Sequence, residues 1–346
     1  MTHRERQLAA IRHEETDHVS IDAVGFEILQ QMAGFLGIPE NEVLTKLDFD
    51  GRVIPLNLLP YSGPKPVINS ELDVTEWGTL RSGDYGMHMP RPLAGVTTVT
   101  EIEKYNWPDS KFYGYDYALE MSKGFGGKYA LRGPSWMPLF CRTCDLFGIE
   151  EALVNMLTEP ELYEAALERI FNVVYETCGR LLDTCGEYMD IFYVADDFAT
   201  QRGMMMSPED WRKYFKPLYA KLFALGKKHG KFVWFHSCGD ITDVLPDLID
   251  IGMDVWETVQ LHTLPITPEK LKQEFGRHIT FFGAVNTQRL PFMTSSEITQ
   301  QVRYCIDVLG KGGGYICGGD HHIREDVSPE KVITLYETAL NHRRKP

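Results

Sequence analysis

No stretch of this 346-residue chain approaches the roughly 18 to 20 consecutive apolar residues that crossing a bilayer requires, so no membrane partner is expected. The opening residues, MTHRERQLAAIRHEETDHVSID, also lack an apolar run of signal-peptide length, and a cytoplasmic location is the expectation. Basic charge is scarce: 35 Lys and Arg face 49 Asp and Glu, giving a formal charge of -14, and the longest basic run is Arg343-Arg344-Lys345. That balance argues against nucleic acid as a partner. The seven cysteines are too thinly scattered to be the framework of a small disulfide-stapled domain. Reduced thiols are then the default, and metal binding becomes a real question. With only 19 prolines and 43% hydrophobic residues, the composition is that of an ordered chain with a large core rather than a tail or linker.

From about residue 183 onward, short apolar runs rich in aromatic and β-branched residues alternate with long helical patterns. The runs are Asp190–Ala195, Lys231–Phe235, Met253–Trp256, His278–Phe282 and Gly314–Cys317. Near-continuous apolar runs suit parallel strands covered on both faces. Between them, Ser207-Pro208, Thr267-Pro268 and Ser328-Pro329, each followed by Glu, place a hydroxyl at a helix N-cap, proline in the first turn and an acid beside the dipole's positive end. Thr294 or Ser295 opens another helix before Glu297. The first half adds three strand candidates, His18–Ile21, Arg52–Leu56 and Lys128–Leu131. Eight strands on an alternating pattern predict an α/β fold, a closed (β/α)8 TIM barrel forming a single domain over 1–346. Residues 60–127, rich in Gly, Pro and aromatics with poor helical periodicity, are expected to form a lid-like insertion over the barrel mouth.

Catalytic groups in such barrels sit just after the carboxyl ends of the strands. The fifth run ends there in His236 and Cys238, two positions apart and so on one side of the strand. Imidazole with thiolate suits Zn²⁺, which takes three protein ligands in an open catalytic site. The last run leads into Cys317, Asp320, His321 and His322; either Cys317 or His321 is expected as the third ligand, with Asp320 orienting a ligand imidazole and His322 facing solvent. Glu257, ending the sixth run, is expected as a fourth ligand that substrate displaces, as a base, or as a buried carboxylate in an ion pair. Asp196 and Asp197 share the rim after the fourth run, one expected to pair with a cation and the other to hydrogen-bond substrate. Cys141 and Cys144 have the spacing of a redox or zinc pair but lack a second pair, and are read as packing. Met204–Met206 and Trp136–Phe140 read as apolar lining.

Taken together, Asp196–Gly203 with Ser207-Pro208, His236–Gly239, Gly283–Gln288, Gly312–Ile316 and Asp326–Glu330 give a chain that resembles the uroporphyrinogen decarboxylase superfamily from about residue 125 to the end. The resemblance implies a TIM barrel. It also implies a division of function. True decarboxylases carry an amino-terminal Met-Arg-Gln-Ala-Gly-Arg loop that holds the substrate's carboxylates, whereas Asp22–Glu27 contains no arginine. The zinc-dependent, corrinoid-linked methyltransferase branch is similar at the His-x-Cys motif, which implies zinc on His236, Cys238 and a further ligand on the last strand loop. The methyl group would move between a small substrate (an aromatic methyl ether, as in O-demethylases, a methylamine or a thiol) and methyl-cobalamin presented by a separate corrinoid protein. The chain lacks an Asp-x-His-x-x-Gly cobalamin signature of its own. The alternatives are a metal-independent decarboxylase, with Asp196 or Asp197 and His321 handling protons, and a barrel kept as a binding or escort subunit for a corrinoid protein.

Overall fold

The computed structural model describes residues 1–56, 75–79 and 91–342. Its eight main strands are β1 (Ser20–Ile21), β2 (Gly51–Val53), β3 (Ala130–Gly133), β4 (Ile191–Ala195), β5 (Phe232–His236), β6 (Val255–Val259), β7 (Thr280–Val285) and β8 (Tyr315–Gly319). All eight strand candidates therefore become strands. They form one sheet in the order β1-β8-β7-β6-β5-β4-β3-β2, every pair parallel, which is the (β/α)8 barrel. A short antiparallel pair, Ala199–Thr200 with Gly203–Met204, follows β4 at the rim. No described helix is long and apolar enough to cross a membrane.

The helix starts follow the expected chemistry, with one difference. Ser207 and Thr267 accept from backbone amides three residues on, and Thr294 and Glu297 form a reciprocal capping box. Ser328 stands at the N-cap position of Pro329–Asn341, but its side chain caps nothing. Of the expected insertion 60–127, residues 60–74 and 80–90 lie outside the described residues. Two of its segments, Val99–Lys104 and Tyr115–Phe125, are helices packed on the long helix Pro160–Cys185, and the second is the barrel's own connection into β3. Its buried face is made of Ala118 and Ser122, small residues that leave little trace in a hydrophobic pattern.

Helix α1 (His3–Ile11) plugs the amino-terminal end of the barrel. Leu8, Ala10 and Ile11 pack beneath the inward-facing Ala130, Ile191, Trp234, Val255, Phe282 and Ile316. The alternate residues of the same strands, such as Phe192, Phe235, Phe281 and Cys317, face outward into the helix layer.

The sheet's two ends, β1 and β2, are joined by Asp50. Its amide donates to Ile21 O (3.0 Å), while one carboxylate oxygen accepts from Ser20 Oγ (2.8 Å) and Ile21 N (3.1 Å). The other oxygen accepts from the Arg6 guanidinium at 2.7 Å and lies 3.2 Å from His3 Nδ1. One carboxylate thus closes the barrel wall and anchors the plug. Removing one partner of a buried ion pair typically costs about 3–5 kcal/mol. Asp50→Ala should lower the unfolding free energy in urea by about that much, and Asp50→Asn by less; a loss under about 1 kcal/mol for Asp50→Ala would contradict this role.

Candidate metal centre

Three strand ends converge at the carboxyl-terminal mouth. The register places Ala195 of β4 beside His236 of β5, and His236 beside Glu257 of β6. Asp197 and Cys238, each two residues past that level, come together: the Cys238 amide donates to Asp197 Oδ1 at 2.8 Å. The turn after Cys238 needs glycine. Gly239 has φ +80, and a Cβ there would stand 2.5 Å from Thr200 O in the rim hairpin. Its amide donates to Gln260 Oε1 at 2.8 Å, and the Ser237 amide donates to Glu257 O at 2.7 Å. The loop carrying Cys238 is therefore tied at three successive amides.

His236 is held from below. Its Nδ1 lies 2.7 Å from Glu257 Oε1, which also accepts from Tyr193 OH at 2.9 Å; Glu257 Oε2 accepts from Trp234 Nε1 at 2.5 Å. With Nδ1 so engaged, Nε2 is the nitrogen facing the mouth, 3.5 Å from Cys238 Sγ and 3.5 Å from Asp197 Oδ1. One ligand atom each from Asp197, His236 and Cys238 lie within 4.8 Å of one another. The Trp136 ring stands edge-on to the imidazole at 5.8 Å, with 43% of the residue exposed.

The electrostatics match this crowding. Burial disfavours the His236 imidazolium, yet Tyr193, Asp197, Cys238 and Glu257 together raise its pKa well above the usual value. Burial would raise the Glu257 carboxyl, but His236, Arg132 and Tyr193 reverse this and lower it. Asp197 follows the same pattern: burial is outweighed by His236 and the Cys238 amide, leaving its carboxyl at about 2.

The remaining expected residues fall into place around this cluster. Of the three roles expected for Glu257, the geometry is that of the buried, paired carboxylate, with His236 as its partner: both oxygens are taken by donors inside the barrel, and the contact to Nδ1 sets the imidazole's orientation. Asp196 differs from expectation, because its buried carboxylate accepts from the amides of Leu139, Phe140 and Cys141 and from Tyr219 OH, fastening the helix Phe140–Phe147 to β4. Cys317 is not brought to the cluster. It faces outward beside Tyr315, under the helix Ser295–Leu309, where burial pushes its thiol up to about 12. His321 lines a cavity of about 490 Å³ shared with Cys238, outside the three-atom cluster. Burial, then the charges on His322 and His236, push its pKa down. Asp320 accepts from the Thr287 amide and hydroxyl and lies 3.4 Å from His262, not on a ligand imidazole. His322 pairs with Glu27 at 3.1 Å.

Cys141 donates to Asp197 O at 3.3 Å, and burial pushes the Cys144 thiol up to about 12, as befits packing residues. Trp136 also neighbours the imidazole, and Tyr193 and Trp234 donate to Glu257, roles that no motif in the sequence marks. The signal for the last two was their parity: Tyr193, Trp234 and Glu257 all occupy inward positions of adjacent strands.

The family model described as uroporphyrinogen decarboxylase (URO-D) matches residues 89–342. No curated protein matches. Among solved structures, a methyltransferase from Methanosarcina mazei superposes with a TM-score of 0.70 at 18% identity, covering 98% of each chain. Xylanase 10B from Thermotoga maritima reaches 0.41 at 9% identity, covering 70% of this chain and 84% of its own. A sugar phosphate isomerase/epimerase from Parabacteroides distasonis reaches 0.39 at 13% identity, covering 94% and 96%. The first of these shares the fold. The family match spans well over half of the sequence, and the chain belongs to the uroporphyrinogen decarboxylase family.

Proposed function

We propose that this protein is a zinc-dependent methyltransferase that moves a methyl group between a small substrate and the cobalamin of a separate corrinoid protein. The observation that carries the reading is the convergence of Asp197 Oδ1, His236 Nε2 and Cys238 Sγ, with His236 Nδ1 already taken by Glu257. The donor set fits the metal: oxygen, nitrogen and sulfur are all zinc ligands, and three of them leave one tetrahedral position for substrate. Bound Zn²⁺ would supply Lewis acidity, either stabilising a substrate thiolate or polarising the heteroatom of a methyl donor.

The protein's own groups do the rest. Glu257 fixes the ring so that Nε2 points to the mouth, and the buried Tyr193 and Trp234 donors hold Glu257 in turn. Trp136 walls one side of the imidazole, while the cavity beside Cys238 offers room for a small molecule. Cobalamin is too large for a barrel filled by Trp234, Phe282 and the helix beneath them, so a partner must present it over the mouth. Support of a general kind comes from the end-to-end likeness to a methanogen methyltransferase. A decarboxylase reading gains nothing from Asp196, whose carboxylate is already committed to four donors.

Metal analysis of purified protein tests the centre. The wild type should hold about one zinc per chain, and His236→Ala and Cys238→Ala should retain almost none; stoichiometric zinc in both variants would sink the proposal. Asp197→Asn should weaken binding while Cys317→Ser leaves it unchanged, and the reverse result would move the third ligand to β8. Glu257→Gln should keep the fold by circular dichroism yet lower zinc affinity about 10- to 100-fold, measured by competition with a chelating dye.

A further inference from the structure

We infer that the substrate is a small zwitterion, carrying both a carboxylate and an ammonium group in the manner of an α-amino acid. The inference rests on the reading of His236 and Cys238 as the reaction centre. What lies beside that centre decides the substrate's character.

The cavity that reaches Cys238 has no Phe, Tyr or Trp among its described lining residues. Its lining includes the amides and hydroxyls of Gln201, Gln260, Thr287 and Gln288, the imidazoles of His321 and His322, and the side chains of Arg324 and Asp326. Neither Arg324 nor Asp326 makes a side-chain hydrogen bond or ion pair among the described residues, and they do not pair with each other. Both side chains are exposed, so one cation and one anion, unpaired among the described residues, border the same space within reach of water. A polyanion would meet Asp326, an apolar methyl ether would engage neither charge, and a molecule with both charges would engage both.

The loop that carries them is held in place rather than loose. Ile323, fully buried, bridges to Phe26, donates its amide to Gly25 O and accepts from Glu27 N. Val327, 1% exposed, anchors the other end. The backbone that carries Arg324 and Asp326 is thus held between two buried residues, while their side chains stand exposed. Gln260, pinned by the Gly239 amide, lines the same cavity as Cys238 and this charge pair.

Calorimetry with L-methionine, the same molecule lacking its carboxylate, and the same molecule lacking its ammonium tests this. The zwitterion should bind the full-length protein about tenfold or more tightly than either truncated analogue, a difference of about 1.4 kcal/mol or more. Arg324→Ala should remove the preference over the analogue without the carboxylate, and Asp326→Asn the preference over the one without the ammonium. His236→Ala, expected to be zinc-free, should keep both preferences, which separates this inference from the metal proposal. Absence of binding, equal binding of all three molecules, or preferences unmoved by the two loop variants would overturn it. Zinc bound stoichiometrically in that case would leave the metal centre standing.

Discussion

A carboxylate with no access to water must be compensated where it sits, and the placement of Glu257 inside the barrel sets the terms for everything above it. Its two oxygens draw in the Tyr193 hydroxyl, the Trp234 indole and one face of His236, while the buried guanidinium of Arg132 stands near enough to lower its pKa. Arg132 is itself bound to Asp22, and Asp22 to Gln7 of the plugging helix. A polar column thus rises through the barrel axis between apolar layers. Each member is affordable only because the next one is there, and the column ends at His236 Nε2, which meets Cys238 and Asp197 at the mouth. Geometry at the rim is inherited from charge balance at the centre.

The strands were legible because each is a short apolar run between clear helix starts, and all eight stand where the residues suggested. The His236–Cys238 pair was legible for the same reason, since period-two alternation is independent of tertiary context. Cys317 shows where that logic fails. Strand β8 is apolar on both faces, Tyr315 and Cys317 outward and Ile316 inward, so hydrophobicity carries no mark of which side is which. Only the packing of Ile316 over the plugging helix settles it. Asp196 and Asp197 pose the related problem of adjacent acids at a strand end: one turns back to cap the helix Phe140–Phe147 and the other reaches Cys238, a division made by long-range contacts. The helix Tyr115–Phe125 escaped notice because its buried face is Ala118 and Ser122.

The two ends of the barrel are built on different principles. At the amino-terminal end, Leu8, Ala10 and Ile11 exclude water by apolar packing, and Asp50 ties the plug to the wall through Arg6. At the carboxyl-terminal end the contacts that hold His236, Cys238 and Gly239 are polar and directional. Family membership accounts for the scaffold. On the proposed function, the chemistry would reside in a handful of side chains at strand ends, and specificity in the loop from Ile323 to Val327.

Helix α1 also governs traffic. With one end of the barrel stoppered, whatever reacts beside Cys238 must enter and leave through the same doorway that a large methyl-carrying partner would have to cover. On the proposed function, access would be a matter of sequence in time: the small molecule would have to board before the partner covered the doorway. A stopper at one end of a barrel would thereby impose an order of events at the other.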